Sequence, residues 1–166
     1  MRSMPRLLLT GLVGLALAAP AVGQRTDDQI QPRSVELQRQ GKTLMGSGKF
    51  EAAEDALETA LAVDPRNRGA YVDLARVAEK QHLFGKAIRM TNKALQLEPN
   101  DPDALAVQGE AMVELGATAR AQANLQKLQT ICSKSGCPQV AQLSSAITRG
   151  PTVASAAATP QVVKKN

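Results

Sequence analysis

Aromatic residues are nearly missing from this chain: of 166 residues only Phe50, Phe84 and Tyr71 carry a large ring, and there is no tryptophan. A surface that stacks nucleic-acid bases needs several such rings, so a site of that kind is excluded. The same shortage argues against a sheet, because strands favour β-branched and aromatic side chains. Leu, Val and Ala suit close-packed helices instead. Histidine occurs once, at His82, which leaves little for a Ser-His-Asp site or a metal centre. Neither a G-x-S-x-G elbow nor an H-E-x-x-H pair occurs. Residues 41–49, GKTLMGSGK, imitate a phosphate loop, but Ser47 stands where lysine is required and Phe50 follows Lys49 in place of a hydroxyl. Glu51, Glu54, Asp55 and Glu58 recur at three- and four-residue steps, the pattern of a solvated helix face. The expectation is a protein that is no enzyme and carries no cofactor or metal.

Long apolar runs are also scarce. The longest, residues 7–19, is too short for the roughly 20 residues that span a bilayer. Arg2 and Arg6 precede it, and Ala21 and Gly23 place small residues three and one before a cut ahead of Gln24. This is the layout of a secretory signal peptide over residues 1–23, cleaved after Gly23. Its removal takes two arginines and no acid, lowering the formal net charge from +5 to +3. So weak a field does not imply nucleic acid. The mature protein is expected in the periplasm or secreted, with no stable membrane anchor.

What the chain does have is a repeat. Pro65 and Pro99 lie 34 residues apart, as do Phe50 and Phe84, Ala60 and Ala94, and Leu61 and Leu95. Ala53, Ala87 and Ala121 carry the spacing through three copies, with small residues at Gly41, Ala75 and Gly109 and larger ones at Leu37, Tyr71 and Leu105. Each copy holds two bursts of apolar residues at helical period, with a break between them. Asp64-Pro65 and Glu98-Pro99 should end second helices, since proline disfavours helical geometry in the residue before it. Asn67 and Asp101 are placed to cap the next first helices. Small residues such as Gly41 and Gly109 should sit where the two helices of a copy cross.

These columns resemble the tetratricopeptide repeat family, a 34-residue pair of antiparallel helices. Copy one, residues 34–67, matches at Leu37, Gly41, Phe50, Ala53, Leu57, Ala60 and Pro65. Copy two, residues 68–101, departs at Thr91, where a large residue is wanted. Copy three, residues 102–135, has Thr118 for the aromatic, Leu128 for the last alanine and no closing proline. An amphipathic stretch at about residues 137–148 reads as a helix capping the open face of copy three. The fold expected is all-α, a solenoid of three helix pairs plus a capping helix, over residues 34–148. Residues 24–33 and 149–166 are expected to be flexible.

Two cysteines follow the leader, Cys132 and Cys137, between the last two helices. In an exported chain the default is a disulfide, here pinning the capping helix. A redox pair is the rival reading, disfavoured because four residues intervene.

The resemblance implies a concave groove lined by the first helices. Carried onto this chain, its positions are Val35, Gln38, Lys42 and Met45 in copy one, Val72, Arg76, Glu79 and Lys80 in copy two, and Asp103, Ala106, Glu110, Val113 and Glu114 in copy three. Val35, Met45, Val72 and Val113 would supply apolar contact, with a basic end at copies one and two and an acidic end at copy three. Reversing Arg76 and Lys80 would then weaken binding and leave stability unchanged. Some family members clamp a carboxylate with Lys, Asn and Arg, but Asp73, Asp103 and Val107 stand at three of those positions, so that clamp is not implied. The function expected is an exported adaptor or scaffold that binds a protein or peptide partner, in envelope assembly, secretion or pilus biogenesis. A self-associating structural module, possessing homo-oligomeric contacts, and a thiol-redox protein are the alternatives.

Overall fold

A computed structural model describes residues 29–133 and 136–152. Within them the chain forms seven helices: α1 (Pro32–Gly46), α2 (Phe50–Val63), α3 (Arg68–Lys80), α4 (Phe84–Leu97), α5 (Pro102–Glu114), α6 (Thr118–Ile131) and α7 (Pro138–Arg149). This is the all-α solenoid of three helix pairs plus a capping helix that the repeat predicts. The proposed signal peptide, residues 24–28 and residues 153–166 lie outside the described residues.

Two boundaries differ from expectation. Pro32, suited to the first turn of a helix, opens α1 two residues before the repeat frame. The Gln31 N–H bonds to the Asp64 carboxylate at 2.9 Å, which fixes the chain ahead of it. At the other end Arg149 belongs to α7, and Thr152 is tied back to α5.

The first three turns are alike. Gly48, His82 and Gly116 take positive φ, and the next residue donates back across the turn: Lys49 to Leu44, Leu83 to Ala78 and Ala117 to Met112. These are Schellman closures, which favour glycine at the left-handed position. His82 is the departure. It accepts φ of 59° and lies edge-on to Phe84, ring centroids 5.9 Å apart.

Between copies, capping does the joining. The Asn67 and Asp101 side chains accept from the backbone N–H of Ala70 and Ala104, as their positions predict. Asn67 also donates to Ser34, and Ser34 to the Ala60 carbonyl, a buried chain linking α1, α2 and α3. Asp101 further pairs with Arg68. The Asp64 carboxyl is held down to about 2 by hydrogen bonds from Arg66 and then from Gln31.

Three apolar clusters fill the array. Gly41 faces Leu57 of α2 so closely that a Cβ would stand 2.5 Å from its Cγ, the expected crossing within a copy. Gly109 differs: the side chain against it is Leu143 of α7, so this small residue makes room for the cap instead of for its own partner helix. Thr91, at a position where the repeat wants a large residue, is fully buried, with its hydroxyl donating to the Ala87 carbonyl. Cys132 at the end of α6 and Cys137 before α7 form a disulfide, Cα atoms 5.6 Å apart.

Neighbouring first helices touch, α1 with α3, α3 with α5 and α5 with α7, whereas no such contact joins α2 to α4 or α4 to α6 among the described residues. The layer of first helices is the tighter one, so it lies on the inside of the curve.

Candidate functional site: the face of the first helices

Helical period places every third or fourth residue of α1, α3, α5 and α7 on the inner face. There, side chains from successive copies are laced together. Gln38 donates to Asp73 at 2.7 Å, and Gly69 leaves the room it needs, for a Cβ there would meet the Gln38 amide at 2.5 Å. Arg76 spans the next gap, reaching Asp73 at 3.2 Å and Asp103 at 2.8 Å. Gln139 of α7 donates to Asp103 at 3.0 Å and Gln142 to Glu110 at 3.0 Å. Thr152 donates its N–H and its hydroxyl to Glu114, both at 2.8 Å.

This lacing corrects the expected division into a basic and an acidic end. Arg76 is spent on the buried Asp73 and on Asp103, so the positive charge that copy two leaves unpaired on this face is that of Lys80. Lys42 and Lys80 remain exposed and make no ion pair among the described residues. The expectation that reversing Arg76 spares stability also falls, because it would leave Asp73 buried beside a like charge.

The apolar lining is corrected too. Val72 is buried between α3, α4 and α5, and Ala106 and Val113 are buried among α5, α6 and α7. None of the three is open to a partner, since each sits where a first helix meets its neighbour. Met45 is half-buried against the α1–α3 cluster, and Val35 alone of the expected apolar set is openly exposed, at 49%.

At the turn end of this face, Glu79, Lys80, His82, Phe84, Glu110, Glu114, Arg149 and Thr152 line a cleft of about 300 Å³. Burial, then the charge of Glu110, pushes the Glu79 carboxyl up to about 8, against the opposing pull of Arg76 and Lys80. Burial also raises Glu110, partly offset by the Gln142 hydrogen bond and Arg149. For Asp103 burial acts upward, but the bond from Gln139 and the nearby Arg76 outweigh it and leave the group below its ordinary value. Arg149 and Thr152 were not expected here. Their signal in the sequence was only that Gly150 continues the spacing of Gly48, His82 and Gly116.

Among the described residues no group of three or more His, Cys, Asp and Glu side chains is placed to hold a metal, and no helix is long and apolar enough to cross a membrane. The face offers hydrogen bonds, charge and shape, a surface suited to an extended or helical segment.

A family described as tetratricopeptide repeat matches residues 44–109. No curated protein matches the chain. The Sgt2 TPR domain from Aspergillus fumigatus is similar in structure, with a TM-score of 0.66 at 19% identity, over 72% of this chain and 79% of that one. The TPR2B domain of yeast Sti1, solved in a complex with pHsp70, gives 0.65 at 21% identity, over 72% of this chain and 98% of the other. The second TPR domain of human RPAP3, in complex with the HSP70 peptide SGPTIEEVD, gives 0.62 at 21%, over 70% and 95%. The repeat columns, the paired helices, the family match and these folds agree: residues 44–109 match the tetratricopeptide repeat family, and the helical array has the fold of the domains built from that repeat.

Proposed function

We propose that this protein is a non-catalytic adaptor that binds a segment of a protein partner along the face of its first helices. The observation that carries the reading is the geometry of that face: α1, α3, α5 and α7 lie side by side on the inside of the curve, with polar side chains presented across all four. Structural relatives hold HSP70 and HSP90 peptides, which supports a peptide partner in general terms. The acidic tails they hold are the wrong chemistry here. Asp103 stands on the face, and Glu110 and Glu114 follow at its turn end, so an acidic peptide would meet like charge there. A partner segment basic toward α3 and α5, with acidic residues toward Lys42 on α1, fits better.

The setting we propose is outside the cytoplasm, on the strength of the leader-like residues 1–23, and envelope assembly, secretion and pilus biogenesis are compatible tasks. Intact mass of the exported protein should begin at Gln24; a chain retaining residues 1–23 would sink that part. For the binding face, a photo-reactive residue placed at Lys42 or Lys80 should form an adduct with the same partner in cells, whereas one at Asp55 or Lys93 on the second helices should not. Adducts confined to the second-helix positions would overturn the assignment.

A further inference from the structure

The fourth turn breaks the rule of the other three. Lys49, Leu83 and Ala117 each supply the N–H that closes a first helix onto its second. At the next step of the same spacing stands Pro151, which has no N–H to give. Gly150 keeps positive φ, but its ψ of −173° is extended, so the chain does not turn back over α7 as a second helix would. It runs instead to the inner face, where Thr152 is held by Glu114 and lines the cleft beside Glu79 and Glu110.

We propose that residues 153–166 of this chain dock in that cleft, between α3 and α5, so that the array carries its own occupant and an outside partner must displace it. This rests on the reading of the first-helix face as the docking surface. The segment starts from a residue already lining the cleft, and its 14 residues extend to about 45 Å, against about 30 Å across four packed helices. Its composition is complementary. It has no acid, and Val162 and Val163 precede Lys164 and Lys165. Leu83 and Leu115, next in sequence to His82 and Glu114, are exposed at 48% and 56% and offer the valines apolar contact. The lysines would then meet Glu110 and Glu114, which share the cleft with Lys80 and Arg149, and a lysine set beside Glu79 would favour loss of the proton that burial keeps there. Tethering also favours the contact, because a short linker gives an effective concentration in the millimolar range, enough to half-fill a site of about millimolar affinity.

The test uses the full chain with Asn166→Cys carrying a nitroxide, Cys132 and Cys137 remaining oxidised. Amide signals of Glu79, Leu83, Phe84, Glu110 and Leu115 should fall to about half or less, and the loss should persist on about tenfold dilution. Adding Lys164→Glu, Lys165→Glu and Val163→Ser to the labelled chain should restore them. Undiminished signals overturn the proposal, as does equal loss in the substituted chain. Loss that fades on dilution also overturns it, since a second copy would then be the occupant. Photo-adducts at Lys42 and Lys80 report separately on the partner surface, so failure of self-docking leaves that reading standing, and their absence would remove it.

Discussion

The two ends of the array are built differently. At the start, α1 has a neighbour on one side only; it buries Ser34, Leu37 and Gly41 and leaves Val35, Arg39 and Lys42 open. Toward the other end, α5 is enclosed by α3, α4, α6 and α7 and buries an unbroken run from Ala104 to Gly109. The same repeat position therefore serves different purposes according to what lies beyond it. Gln38 reaches out across a gap, Val72 is core between two copies, and Ala106 is core under the cap. Position in the stack decides between recognition and packing.

The largest effect that would sharpen this contrast is at the capped end. Leu143→Ala should destabilise by about 3 kcal/mol, because it empties the space against Gly109, whereas Val35→Ala at the open end should change stability by less than about 0.5 kcal/mol. Similar costs at both positions in chemical denaturation would erase the distinction. Reduction of the Cys132–Cys137 bond comes next. Loss of the closed loop should cost about 2 kcal/mol, seen first as faster amide exchange in α7 and leaving α1 unaffected. Uniform acceleration across all helices would contradict it.

Glu79 provides a pH-dependent test. Its carboxyl holds a proton up to about 8 in the fold, while an unfolded glutamate releases it near 4.3, about the model-peptide value. The folded state thus binds more protons between those values, and stability should fall as pH rises through that window. Glu79→Gln removes the penalty, so the variant should match the parent at about pH 4 and gain on it steadily as pH rises towards 8. A pH-independent difference in melting temperature would refute the assignment. The smallest effect expected is at the second turn. His82→Gly should stabilise by about 0.5–1 kcal/mol by relieving the left-handed backbone, less whatever the contact with Phe84 contributes. A loss of stability would mean that the ring contact outweighs the strain.

Much of the architecture was legible before any coordinates, since it is written in local chemistry. The prolines end α2 and α4, Asn67 and Asp101 cap α3 and α5, and the spacing of Ala53, Ala87 and Ala121 counts the copies. The inner face was less so. Period assigns a residue to a side of its helix but not the distance of the next helix, and that distance is why Val72, Ala106 and Val113 are covered. Arg76 was misread for a related reason. A charge looks free along a sequence until the carboxylates of adjacent copies, Asp73 and Asp103, are brought within reach. The two-residue advance at Pro32 depended on the buried Asp64, which lies 33 residues from its partner Gln31.

Among the described residues, helices meet only those one or two steps along the chain. Such a molecule has no single nucleus on which all its parts depend: energy is passed from neighbour to neighbour, and α1 and α7 should open independently of each other. A ligand lying across α1, α3, α5 and α7 would be the one element in touch with both extremities. Its binding should then make the two ends melt together, turning a gradual loss of helix into a sharper transition.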